Sequence, residues 1–317
     1  MMLQMSAVIW SAAWSLALAA HLVCVNIAAV GPLACIWLEA RARRTGQESA
    51  SVLGKWLAHL CCKLLLVGMA LGVALGWLAW QRGDDGLFSA LERVPFGRLK
   101  WGVAELVFYY ACMLPYAAFW SRLRKRYWIH RLLAIFAATN LIYHFPPLFV
   151  VIKNLSGATA DTAPLSSREF LHMTMQPDVL SRVTHHWVAA VAVVGAAVML
   201  RARRMTPDTH DTASGERSES IVYIRAGAWA ALIATLLQIP VGLWVLLQSP
   251  AAWRDQLLGS AWWPTSLFVA SMAAGLATLH ALAAVALGEV QRKQTRTAVL
   301  LLLLTVLLMT ATASQLG

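Results

Sequence analysis

Long apolar stretches separated by short polar breaks dominate this chain of 317 residues. A helix needs about 20 predominantly apolar residues to cross a bilayer. Eight stretches reach or approach that length: residues 6–38, 56–80, 101–120, 132–151, 183–200, 221–247, 262–287 and 298–311. The first is long enough to tilt or to begin as an interfacial helix. The longest polar segments, 81–100, 153–182 and 201–220, carry no sign of a soluble domain, a glycine-rich nucleotide loop or a short repeat. The pattern predicts an all-α, polytopic transmembrane helix bundle, a single integral membrane domain over 1–317.

Composition agrees. Hydrophobic residues make up 59% and charged residues 13%, against about 25% charged in soluble domains, and the mean hydropathy is +0.62. The net charge of +11 would suit nucleic acid, but its placement does not. Basic residues gather in alternate breaks: Arg41, Arg43, Arg44 and Lys55; Arg122, Arg124, Lys125, Arg126 and Arg131; Arg201, Arg203, Arg204 and Arg217; Arg292, Lys293 and Arg296. The positive-inside rule turns these loops to the cytoplasm and both termini to the outer, periplasmic face. The partner implied is the lipid bilayer, not nucleic acid. Tryptophans at span ends, among them Trp56, Trp80, Trp101, Trp120, Trp262 and Trp263, form an interfacial belt. The first residues carry no basic segment, so no cleaved signal peptide is expected. The location expected is a bacterial inner membrane, crossed many times.

The candidate chemistry lies in the histidines. Five of the nine, His21, His59, His144, His186 and His280, fall inside apolar stretches, and His185 stands beside one of them. An ionisable ring in a bilayer is costly and has a partner or a function, and imidazole is a common haem ligand. His21 is an axial ligand or a ring bonded to a backbone carbonyl, with small residues Ala19, Ala20, Ala28 and Ala29 leaving room for a porphyrin. His185 and His186 point about 100° apart on one helix, so only one of them can serve a given iron from there. Met272 is core filler or the methionine of a His/Met pair. His280, two turns deeper, is a further ligand or a helix–helix hydrogen bond. His144 precedes Pro146 and Pro147, which break the backbone ladder. It lines a cofactor or quinone pocket, or satisfies freed carbonyls. Glu105, with Tyr109 and Tyr110 nearby, is a candidate for proton handling or an interfacial carboxylate. Gln238 and Pro240 suggest a kink. His59 and Lys63 belong to the interface, and His130, His172 and His210 to loops. No Cys-x-x-Cys-His occurs, so covalent c-type haem is excluded. The five cysteines are apolar packing residues.

A resemblance to subunit I of the cytochrome bd quinol oxidases runs through the first two-thirds of the chain. Lys63-Leu64 followed by Ala70-Leu71-Gly72-Val73-Ala74-Leu75-Gly76 resembles that family's second helix, Lys-Leu and then Ala-Leu-Gly-Val-Ala-Thr-Gly. Trp120-Ser121-Arg122-Leu123-Arg124-Lys125 is similar to its Trp-Asp-Arg-Leu-Gly-Lys, Asn140-Leu141 to an Asn-Leu in the fourth helix, and His186-Trp187-Val188-Ala189 with Gly195-Ala196 to its His-Thr-Val-Ala and later Gly-Ala. The resemblance implies His186 and Met272 as the axial pair of a low-spin b-type haem near the outer face, and His21 as ligand of a second haem. His144 and His280 would be rewired ligands, and Glu105 lies within about a turn of the family's helix-three carboxylates. The family's long quinol-handling loop after the sixth helix is replaced by the short segment 248–261, and its late Gly-Arg-Gln-Pro-Trp segment with the preceding glutamate ligand has no counterpart.

The reading is a membrane b-type cytochrome subunit, leaning to a quinol-linked oxidoreductase subunit. It would hold one or two haems b, a d-type haem being left open, and pass electrons between membrane quinone or quinol and an outer-face partner subunit or oxygen. The alternative is a haem-free transporter or a scaffold subunit of a larger complex.

Overall fold

The computed structural model describes residues 2–123, 126–157, 163–205, 214–288 and 290–315. Among them every regular element is helical: α1 Met2–Thr45, α2 Glu48–Gln81, α3 Asp85–Arg93, α4 Phe96–Ala118, α5 Trp120–Leu123, α6 Tyr127–Ser156, α7 Ser167–Thr174, α8 Pro177–Met205, α9 Ser214–Gln248, α10 Ala251–Asp255, α11 Trp262–Leu287 and α12 Arg292–Ser314, with a π-helical turn at Gln256–Ser260. Seven of these are long and apolar enough to cross a membrane. The difference from the eight spans expected lies in α4. It is a helix of 23 residues, but Glu105, Tyr109, Tyr110 and Tyr116 lower its hydropathy. The short stretch expected over 298–311 is the middle of α12, which has 23 residues.

Helices dominate because the backbone must satisfy its own polar groups in hydrocarbon. Prolines test this rule, since each removes the N–H that would serve the carbonyl four residues earlier. α1 runs through Pro32, whose missing donor frees the Ala28 carbonyl. The hydroxyl of Tyr109 on α4 donates to that oxygen at 2.9 Å. α6 runs unbroken through Pro146 and Pro147. The Ile142 carbonyl freed by Pro146 accepts the indole N–H of Trp187 on α8 at 3.1 Å. The ladder expected to break therefore continues as helix, and a tryptophan rather than His144 supplies the donor to Ile142.

The main core joins α1, α2, α4, α6, α8, α9, α11 and α12. α8 and α9 approach most closely at two facing glycines. A Cβ on Gly195 would lie 2.5 Å from the Gly227 carbonyl, and one on Gly227 2.6 Å from the Gly195 carbonyl. Small residues of this kind let membrane helices touch backbone to backbone. α11 and α12 are joined by hydroxyl pairs, Ser271 to Thr312 at 3.1 Å and Thr278 to Thr305 at 2.9 Å. α1 stops at Gly46, whose positive φ of 70° and N–H bond to the Ala42 carbonyl make a left-handed cap. All five cysteines are buried thiols.

The two ends of the bundle differ. At one, α3, α7 and the adjoining ends of α6 and α8 close over a small second core containing Val151, Phe170 and Val179. There Asn154 links Asp178 and Arg182, donating to the first at 2.6 Å and accepting from the second at 2.7 Å. Arginine lies over aromatic rings at both ends: Arg98 on Phe170 and Arg182 on Trp253 at this one, and Arg41 on Tyr223, Arg43 and Arg131 on Tyr127, and Arg201 on Trp56 at the other.

Candidate functional site

His21 stands midway along α1, half-buried against α2. Its Nδ1 lies 2.8 Å from the Gly68 carbonyl. A carbonyl only accepts, so Nδ1 carries the proton and Nε2 keeps its lone pair. The fit against α2 needs glycine at two levels one turn apart. A Cβ on Gly68 would meet Val25 at 2.8 Å, and one on Gly72 would meet His21 Cε1 at 3.2 Å. A ring with one nitrogen bonded to backbone and the other free has the second-shell arrangement of metal-ligating histidines.

His186 on α8 lies within electrostatic reach of both His21 and His185. Its ring is half-buried and makes no side-chain hydrogen bond among the described residues. The next residue, Trp187, is tied to α6 through Ile142. The previous residue, His185, accepts at its carbonyl from Gln238 Nε2 of α9 at 2.9 Å. So Gln238, read from sequence as part of a kink with Pro240, bonds α9 to α8 next to the histidine pair. These two ties set the rotation of α8 about its axis, and hence the direction of His186.

Met272 and His280 lie on α11, which packs on α9 and α12. Met272 is 40% exposed, on the face it shares with Val269 and Leu276 and away from the buried Ser271, Ala274 and Thr278. His280 is exposed and makes no side-chain hydrogen bond among the described residues.

Glu105 and His144 meet across α4 and α6, Oε1 to Nδ1 at 3.3 Å. Asn140 donates to the Glu105 backbone carbonyl at 2.6 Å. The second carboxylate oxygen, Oε2, and the second imidazole nitrogen, Nε2, are buried without a hydrogen-bond partner. Sequence singled out both residues but not their pairing.

His59 is exposed and bonds its own helix at the Lys55 carbonyl, 2.8 Å away. His172 lies in α7, not in a loop; His210 falls outside the described residues. His130 is a correction: it is no loop residue but a member of α6 with a fully buried ring. Nδ1 faces Glu39 Oε2 at 3.1 Å, and Nε2 donates to the Tyr116 carbonyl at 3.1 Å. The ring stacks on Tyr116 at 3.8 Å and meets Trp120 edge-on. Glu39 lies one residue beyond the first apolar stretch, and that carboxylate at a span end was the available signal.

Among the described residues no group of three or more His, Cys, Asp or Glu is placed to hold a free metal ion. Haem iron makes no such demand, because the porphyrin supplies the equatorial ligands and the protein only the axial ones.

No protein-family model matches the chain, and no curated protein matches it. A solved structure does: the bd oxidase from Geobacillus thermodenitrificans matches with a TM-score of 0.69 over 98% of this chain and 87% of that one, at 14% identity. At that identity the likeness speaks for the fold. The chain is a multi-pass membrane protein whose helices follow a bd-oxidase-like bundle.

Proposed function

We propose that the chain is a b-type cytochrome subunit of a bacterial inner membrane, carrying electrons between membrane quinol and an outer-face partner subunit or oxygen. The observation that carries this reading is the His21 ring. Its Nδ1 is held by the Gly68 carbonyl at 2.8 Å and its Nε2 is left free, with the unbonded ring of His186 in electrostatic reach. Two half-buried rings that each keep a nitrogen unbonded among the described residues fit axial ligation. His186 with Met272 would hold one haem b and His21 a second. The likeness to bd oxidase supports the same reading at the level of the fold.

When bound, haem supplies one-electron chemistry at a potential tuned by its axial ligands and their surroundings. The chain's own contribution is placement. Gly68 orients the His21 ring, and Trp187 and Gln238 fix the rotation of α8. Glu105 and His144 would hold and pass a proton between Oε1 and Nδ1.

The test is a reduced-minus-oxidised visible spectrum of the purified chain beside His186→Ala and His21→Ala variants. The expected result is a sharp b-type α-band, with one component lost in each variant. A flat spectrum from folded protein would overturn the proposal and leave a haem-free transporter or scaffold subunit.

A further inference from the structure

Tyr127, the first residue of α6, carries two arginines on one ring. The Arg43 guanidinium, from the last turn of α1, lies 4.2 Å from the ring centroid, and that of Arg131, one turn along α6, lies 5.2 Å from it. A single aromatic face attracts a cation, but two cations drawn to one ring also repel each other. These two lie within about 10 Å, the Debye length at 0.1 M salt, so solvent ions screen them incompletely. No carboxylate offsets the repulsion: among the described residues neither arginine forms an ion pair, and the buried Glu39 is engaged by His130.

A second observation points to a missing acceptor. Arg131 Nε, like Arg41 Nε and Arg201 Nε at the same end, is buried and has no hydrogen-bond partner. An N–H that has left water without finding an acceptor is a rare, costly group. Arg43, by contrast, is exposed. The pair therefore presents one half-buried and one open guanidinium to the same ring. The height of that ring in the membrane is marked by Trp128, 64% exposed and 4.8 Å from the Tyr127 ring. Exposed tryptophan sits at headgroup level, which is where lipid phosphates lie.

The geometry points to a binding site for the phosphate of an anionic phospholipid, formed by Arg43 and Arg131 and organised by Tyr127. A phosphodiester offers two anionic oxygens, which suit the planar fork of guanidinium donors. It would neutralise the paired charge and accept from the terminal N–H groups of Arg131, which, unlike Nε, are not shielded. Basic pockets between membrane helices bind anionic headgroups on the same physical grounds. The two other stacked arginines at this end stand alone on their rings, Arg41 at 5.6 Å from Tyr223 and Arg201 at 5.8 Å from Trp56. They share the unpartnered Nε but not a second cation on the ring, so they report what a lone stacked arginine contributes.

The experiment is native mass spectrometry of the full chain in detergent, with phosphatidylglycerol or phosphatidylcholine added in equal amounts. The expected result is one retained phosphatidylglycerol, and retention about tenfold lower in Arg43→Gln/Arg131→Gln. Arg201→Gln and Tyr127→Phe should retain it as the unaltered chain does, and millimolar inorganic phosphate should fail to displace it. Arg43→Gln alone, at an exposed position, should weaken retention without altering the fold. Equal retention in the double variant, equal retention of phosphatidylcholine, or release by inorganic phosphate would each overturn the assignment, the last by making it a free-anion site.

Discussion

The indole N–H of Trp187 donates to the carbonyl of Ile142, the oxygen that Pro146 leaves without a backbone donor. One side chain thus repairs the α6 ladder and ties α8 to it beside His186. Trp187→Phe removes the donor while keeping an aromatic ring, and should cost about 0.5–2 kcal/mol, the range for hydrogen bonds between membrane helices. Pro146→Ala restores a backbone donor, so the cost of Trp187→Phe should shrink in that background. Thermal unfolding of the four proteins in a double-mutant cycle measures the coupling; additive effects would separate the indole bond from the proline.

Tyr109 and Pro32 stand in the same relation through the Ala28 carbonyl, here in a fully buried setting. Tyr109→Phe should lower the unfolding midpoint, and Pro32→Ala should rescue part of the loss. A variant as stable as the unaltered chain would mean that the carbonyl has another donor.

Glu39 and His130 share a proton in a site from which solvent is excluded, both side chains being 0% exposed. Because His130 Nε2 must donate to the Tyr116 carbonyl, Nδ1 faces Glu39 either protonated beside a carboxylate or accepting from a carboxylic acid. The pair is neutral in both forms. Removing one partner strands the other: Glu39→Leu or His130→Ala should cost about 3–5 kcal/mol, whereas replacing both with apolar residues of similar volume should cost much less. Chemical denaturation in detergent separates the cases, and a double variant as damaged as the sum of the singles would reject the pairing.

Gly195 and Gly227 meet backbone to backbone, with only 2.5 Å between a Cβ placed on the first and the carbonyl of the second. Gly195→Val must force α8 and α9 apart, at a cost of about 1–3 kcal/mol or more. Crosslinking between cysteines introduced in the two helices should then fall. Unchanged crosslinking would show that the interface absorbs the added atoms.

Glu105→Gln keeps the shape of the side chain and abolishes its proton. If Glu105 and His144 handle protons, turnover with quinol should slow by about a hundredfold or more, while His59→Ala, at an exposed ring bonded to its own helix, should leave it unchanged. Normal turnover in Glu105→Gln would remove the carboxylate from the mechanism.

The helices were legible in the chain because hydrocarbon admits few alternatives: about 20 apolar residues in a row, with tryptophan and arginine at the breaks, leave room for little besides a spanning helix. α4 was less plain, since Glu105 and its tyrosines serve the interior of the bundle at the expense of hydropathy. The polar residues that matter could also be named from sequence, because an ionisable ring among aliphatic residues stands out wherever it falls. Their partners could not. Pro146 announces that Ile142 will lack a donor, but nothing local says that Trp187, 45 residues away, will provide one. Glu39 and His130 lie 91 residues apart, each unremarkable beside neighbouring arginines, until helix packing removes both from water. Apolar periodicity decides that a segment is a helix, and the matching of buried donors and acceptors across helices, which only the tertiary structure expresses, decides what each polar residue in it faces.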